Sequence, residues 1–229
     1  MSRHVFFIAG TDTDVGKTTV AAGLLLSANR RGLSTAATKP VAAGCKVTPE
    51  GLRNDDALKL QAAMSLPLSY EQVNPVAFEP PIAPHIAAGY VGRRVAVSQL
   101  AGFCRGLLMQ RADFTLIEGA GGWRVPLNPR ETMADLVREL NTPVILVVGM
   151  KLGCINHALL TVEAIQRDGL TLAGWVANFH SGSMVAQEEN LTALRDRIPA
   201  PCLGEVPQLS PATAEAVSDH INLDLVISF

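Results

Sequence analysis

An α/β fold, a mostly parallel sheet flanked by helices on both faces, is predicted by three features of this sequence. Short apolar runs rich in β-branched and aromatic residues recur along the 229 residues. A Gly-rich or polar turn and then a helical stretch follows most of them. The runs are apolar at odd and even positions alike, which suits strands covered on both faces and hence a parallel sheet. With 48 % apolar and 17 % charged residues the chain can bury a substantial core, and disorder is excluded. One domain over residues 1–229 is expected, since α/β sheets routinely carry chains of this length.

The first strand is expected at His4 to Ala9, and good helix formers from Lys17 to Arg30, ending before Gly32, make the first helix. Ser34 to Thr38 is the second strand, stopped by Pro40. The polar stretch Arg53-Asn-Asp-Asp56 opens a helix over Asp56 to Met64. Pro75 to Gly92, with Pro75, Pro80, Pro81 and Pro84, is the least regular part and reads as a loop or excursion. A helix over Val97 to Gln110 leads to a strand at Phe114 to Ile117, which runs into Glu118 and Gly119-Ala120-Gly121-Gly122. Met133 to Asn141 is helical, Pro143 to Val148 a strand, and Ile155 to Asp168 a helix behind Gly153. Leu172 to Ala177 is a strand, Val185 to Arg197 a helix ahead of Pro199, and Cys202 to Glu205 a short last strand. The alternation reads as βαβ units with right-handed crossovers.

A net charge of −2 and only eleven aromatic residues leave neither an electrostatic footprint nor a stacking platform for nucleic acid. The longest apolar run, Val144 to Val148, falls far short of the ~20 residues that span a bilayer. Val5 to Gly10 runs straight into Thr11-Asp12-Thr13-Asp14 and does not read as a signal peptide, so a cytoplasmic location without membrane contact is expected. Cys45, Cys104, Cys154 and Cys202 are widely spaced, without a Cys-x-x-Cys pair, and read as reduced thiols.

Gly10-Thr-Asp-Thr-Asp-Val-Gly16-Lys17-Thr18 follows a strand and opens a helix, the context a phosphate-binding loop requires. Backbone N–H groups of the loop and of the helix start can converge on phosphate oxygens, Lys17 adds a mobile charge, and the Thr18 hydroxyl can ligate Mg²⁺. A nucleoside triphosphate is the implied ligand, and a P-loop NTPase-type mostly parallel sheet the implied architecture. Five residues separate the two glycines, where the standard pattern has four.

Mg²⁺ takes one or two carboxylates besides the hydroxyl and phosphate oxygens. Glu118 stands at the carboxyl end of an apolar run, where ligands sit in open α/β sheets and where a carboxylate lacks solvation unless a cation meets it. Asp56 is the second acid, although Asp55 and Asp56 equally suit capping of the helix they open. Lysine is scarce, five against fourteen arginines, and Lys39 ends the second strand in Thr38-Lys39-Pro40-Val41-Ala42-Ala43-Gly44. It points toward the same sheet edge as the phosphate loop and can meet a developing anion or a transferred phosphoryl, a solvated strand-end lysine being the other reading.

Taken together, G-T-D-T-D-V-G-K-T at Gly10 to Thr18, K-P-V-A at Lys39 to Ala42, T-P-E-G-L-R-N-D-D-A at Thr48 to Ala57, E-G-A-G-G-W at Glu118 to Trp123, P-V-I-L-V-V-G at Pro143 to Gly149, G-C-I-N-H-A at Gly153 to Ala158 and G-W-V-A-N at Gly174 to Asn178 closely resemble the dethiobiotin synthetase family. The resemblance implies a cytoplasmic, homodimeric ligase of biotin synthesis that turns 7,8-diaminopelargonate, CO₂ (or bicarbonate) and MgATP into dethiobiotin, ADP and phosphate. It implies a carbamate, then a carbamic-phosphoric mixed anhydride, then ring closure. It places the loop lysine on Lys17, the second catalytic lysine on Lys39, and the Mg²⁺ ligands on Thr18, Asp56 and Glu118. ATP is then held by Thr13, Asp14, Val15, Gly16, Lys17, Thr18 and Thr19, with Asp56, Glu118, Gly119, Ala120 and Gly121. Asn178, with backbone of Pro207, Gln208 and Leu209, falls on the adenine.

The substrate's place falls on Lys39, Ala43 and, from the second subunit, Gly153, Cys154, Ile155 and Asn156, whose N–H groups at a helix start suit its carboxylate tail. The chain departs from the family pattern at Ala43, where the family often carries Ser or Thr, and at Phe179, where it often carries Asp. The residues speak against two rival readings. An amide-forming ligase of the same P-loop group needs a glutaminase domain, for which 229 residues leave no room. A dimeric P-loop ATPase switch usually carries a lysine early in the loop, where this chain has Thr11 to Asp14, and often a basic terminal helix, whereas no Lys or Arg follows Arg197.

Overall fold

A computed structural model describes residues 3–182 and 184–227. Its centre is a six-stranded sheet, parallel throughout, in the order Cys202–Val206, Leu172–Asn178, Val144–Gly149, His4–Gly10, Phe114–Glu118, Thr35–Thr38. The first strand alternates between two cores. Phe7 and Ala9 face the cluster built on Leu146, Trp175 and Val137, while Phe6 and Ile8 face the one built on Leu24, Leu60 and Leu116. Period-2 alternation thus puts apolar side chains on both faces, and helices cover both.

The expected strands and main helices are present, shifted by a residue or two. Five of the six strands run one residue beyond the apolar run that predicts them, to Gly10, Glu118, Gly149, Asn178 and Val206. The helix expected from Val185 is Gln187–Arg197, because Ala186 sits at φ 53° in the left-handed region and cannot be part of it. The helix expected from Asp56 is Asp55–Ala63, capped by Asn54, whose side chain accepts from the N–H groups of Asp56 and Ala57.

The proline-rich stretch is more regular than expected. Val76–Ala77 pairs in parallel with Val41–Ala42, and Pro84–Tyr90 is a helix. Pro84 opens that helix at the one position where a missing N–H costs nothing and a fixed φ helps. Two further helices, Tyr70–Val73 and Ala214–Ser218, and a hairpin pairing Lys46–Thr48 with Gly51–Arg53 also lie outside the expected elements. No helix among the described residues is long and apolar enough to cross a membrane.

Candidate active site

Because every strand of the main sheet is parallel, all carboxyl ends share one edge. Thr35–Thr38, Phe114–Glu118 and His4–Gly10 are consecutive there, with a spacing of about 4.8 Å per strand. Lys39, Glu118 and the phosphate loop are therefore brought within side-chain reach by pairing alone. A cavity of about 640 Å³ opens between them, a size that suits a small-molecule site. Thr13, Asp14, Gly16, Lys17, Thr18, Thr19, Lys39, Ala43, Asp56, Glu118, Ala120 and Gly121 all line it.

Glu118 is wholly buried, and its Oε1 accepts from the Thr18 hydroxyl and from Lys39 Nζ, each at 2.7 Å. Lys39 Nζ also donates to Asp56 Oδ2 at 2.7 Å. The other oxygen of Glu118, Oε2, is buried without any protein partner. A buried carboxylate oxygen left open beside a hydroxyl and a second carboxylate is what a hard divalent cation requires, so the donor set fits Mg²⁺. Among the described residues no group of three or more His, Cys, Asp or Glu is placed to hold a metal ion by itself.

Burial alone lowers a lysine, yet the carboxylates of Glu118 and Asp56 outweigh it and hold the Lys39 ammonium above the ordinary lysine range. Lys17 goes the other way. Burial lowers it, Glu118 opposes, and the like charge of Lys39 lowers it further. Its Nζ donates to the Asp12 carbonyl at 3.1 Å. Burial raises Asp56, but Lys39 prevails and leaves its carboxyl below the ordinary range.

Three expected residues stand behind the cavity. Val15 and Asn178 are buried, and Asn178 Nδ2 donates to the Val15 carbonyl at 2.8 Å. Gly119 packs on Phe7. Pro207 and Gln208 line a second cavity, of about 530 Å³, beside Phe179 and Glu205, while Leu209 packs on the core. Gly153, Cys154, Ile155 and Asn156 line neither cavity. They start the helix Cys154–Arg167, where Gly153 adopts φ 94°, and Leu152 just before them is 90 % exposed. The four cysteines are free thiols.

Sequence reading missed the wall formed by Pro81, Ile82, Ala83, Pro84 and Val125, although the proline cluster marked its place. It also missed a polar relay beneath the site. The Tyr70 hydroxyl accepts from Asn54 N–H at 2.6 Å and donates to Asn74 Oδ1 at 3.1 Å, and Asn74 Nδ2 donates to the Lys39 carbonyl at 2.7 Å. Asn54 caps the helix that carries Asp56, so one phenol connects the backbone of Lys39 with that of the helix whose Asp56 meets Lys39 Nζ.

Comparison with known proteins agrees with this geometry. The family described as "AAA domain" matches residues 4–216. An ATP-dependent dethiobiotin synthetase BioD of Cellvibrio japonicus is 65 % identical over 97 % of both chains. A protein of the same description from Marinobacter nauticus is 51 % identical over 99 % of both. Among solved structures, a ParA family ATPase from Chlorobium tepidum covers 99 % of this chain and 98 % of its own at TM-score 0.57 and 10 % identity. The MinC:MinD cell division protein complex of Aquifex aeolicus gives TM-score 0.58 at 14 % identity, covering 97 % of this chain and 88 % of that one. These distant likenesses establish the P-loop NTPase fold alone. With a buried lysine and two acids joined beside a phosphate loop, and relatives this similar end to end, the chain belongs to the dethiobiotin synthetase family.

Proposed function

We propose that this chain is an ATP-dependent dethiobiotin synthetase, closing the cyclic urea of dethiobiotin from 7,8-diaminopelargonate, CO₂ and ATP with release of ADP and phosphate. The observation that carries the reading is Lys39. A second buried lysine, delivered into the cavity of the phosphate loop by a strand end two positions along the sheet, is the group an acyl-phosphate-forming ligase needs. In this reading one amine of the substrate captures CO₂ as a carbamate, and Lys39 neutralises the carbamate oxygen while it takes the γ-phosphoryl. The second amine then attacks the carbonyl of the mixed anhydride and phosphate leaves. Catalysis is by positioning and charge neutralisation.

Lys17 and the N–H groups around Gly16 hold the phosphates. Thr18, Asp56 and Glu118 would hold Mg²⁺, which when bound would supply neutralisation of phosphate charge. Asn178, with its remaining amide hydrogen and its oxygen, and the Pro207–Leu209 backbone beside the second cavity receive the adenine. The helix start at Gly153 to Asn156, exposed at Gly153 and Asn156, faces a second copy of the chain and completes that copy's substrate pocket. Ala43 lines the cavity without a hydroxyl, so the contact falls to backbone or water. A homodimer in the cytoplasm completes the reading.

The test is ADP release measured with each substrate omitted in turn. Release that requires both the diamine and bicarbonate is expected; hydrolysis of equal rate without the diamine overturns the reading.

A further inference from the structure

The Val15 side chain is buried within the phosphate loop, 1 % exposed. It fills a notch that exists because two glycines flank it. A Cβ on Gly10 would lie 2.8 Å from Val15 Cγ2, and one on Gly149 would lie 2.7 Å from Val15 Cγ1. The Val15 carbonyl is held from the strand end behind it, where Asn178 Nδ2 donates at 2.8 Å from a position only 3 % exposed. On the other side of that peptide, Gly16 adopts φ 86°, and a Cβ there would lie 2.1 Å from Asn178 Nδ2. The loop and the amide are so close that no side chain fits between them.

A trans peptide points its C=O and N–H in opposite directions. A Val15 carbonyl fastened to the strand behind the loop therefore turns the Gly16 N–H away from that strand, toward the cavity that Gly16 lines. The need for such a fastening follows from length. The loop has one residue more between its glycines than the standard pattern, and Asp14 within it sits in the left-handed region at φ 57°. A longer loop has more conformations to lose when it is ordered around a ligand, and an anchor formed beforehand removes part of that cost.

We propose that Asn178 is a positioning residue of the phosphate site. Its carboxamide holds the Val15–Gly16 peptide so that the loop's N–H groups stay aimed at phosphate, whatever base the nucleotide carries. This rests on the reading of Gly10 to Thr18 as a phosphate site and adds a role that contact with adenine does not supply.

The test uses a ligand without base or sugar, Mg²⁺-tripolyphosphate, titrated calorimetrically into the wild type, Asn178→Ala and Asn178→Asp. Hydrogen exchange of the Gly10 to Thr18 segment is followed in the ligand-free proteins. Loss of one buried hydrogen bond should weaken tripolyphosphate about tenfold in Asn178→Ala and speed exchange of the loop by a similar factor. Asn178→Asp keeps the size but turns an oxygen toward the carbonyl, so a larger loss is expected. Exchange in the remote helix Val97–Leu108 stays unchanged, which separates loosening of the loop from general unfolding. Variants that bind ATP weakly but tripolyphosphate as tightly as the wild type, with unchanged loop exchange, overturn the proposal. A wild type that does not bind tripolyphosphate overturns the phosphate reading itself, and the proposal with it.

Discussion

Lys39→Gln removes a positive charge from a point where two negative ones converge, and the loss can be worked from the contacts. Lys39 Nζ lies 2.7 Å from Glu118 Oε1 and 2.7 Å from Asp56 Oδ2, and the Glu118 side chain is 0 % exposed. Deleting one member of a buried pair costs about 3–5 kcal/mol, because the survivor keeps its desolvation penalty without its partner. Here the lower end applies. The Thr18 hydroxyl still donates to Glu118 Oε1, and the Gln amide replaces one donor. The Asp56 side chain is 40 % exposed, so water screens that half of the interaction and it adds little. A loss of about 3 kcal/mol at pH 7 follows, or a melting temperature lower by roughly 6–12 °C for a chain of this size. The assay is urea and thermal unfolding in EDTA and again in millimolar MgCl₂, where the cation compensates Glu118 and narrows the gap. Dethiobiotin formation is abolished while nucleotide binding survives. A variant as stable as the wild type in EDTA, or one that turns over at the wild-type rate, refutes the reasoning.

Asp56 gives a pH dependence of definite sign. Burial raises its carboxyl but Lys39 prevails and holds it below the ordinary range, so its contribution is present above its unfolded value, about 3.9, and fades as pH falls through the folded one. Between pH 5 and pH 3 the urea midpoint of the wild type should fall further than that of Asp56→Asn; parallel curves would count against the ion pair. Tyr70→Phe keeps the ring but strands the buried Asn54 N–H and removes the donor to Asn74, a loss of about 1–3 kcal/mol. Because the phenol connects the backbones of Lys39 and of the helix carrying Asp56, kcat should fall with little change in KM for ATP, and an unchanged kcat excludes that positioning role.

Much of the fold was legible because strands buried on both faces read as continuous apolar runs. The reading stopped short at five strand ends for a physical reason. Gly10, Glu118, Gly149, Asn178 and Val206 continue the hydrogen-bond ladder, but two of them have no side chain and two carry a polar one, and this is where the site begins. Glycine at those ends leaves room for the loop, and Glu118 and Asn178 bring polar groups to the same edge. Asp56 was legible only as a choice between cap and ligand. The cap is Asn54, which leaves the Asp56 carboxylate for the cavity. The Tyr70 relay carried no signal, since Asn54, Tyr70 and Asn74 meet through a tertiary fold and belong to no spacing pattern. The Pro81 to Pro84 wall reads as irregular in sequence because prolines that break an element and a proline that starts one look alike until the partner strand Val41–Ala42 is in place.

The order of the strands has a consequence for how the protein is made. His4–Gly10 precedes the other five strands of the sheet in sequence, yet among the described strands it pairs with Phe114–Glu118 and Val144–Gly149. Its first neighbour lies roughly 110 residues downstream, an interval of about 5–20 s at ordinary rates of synthesis. Pairings so remote in sequence are slow to form, and the first strand must wait for both edges. The phosphate loop hangs from that strand and is fastened by a residue later still, Asn178. It is thus synthesised well before the residue that secures it, and a captured nucleotide favours the state in which the two have met by mass action.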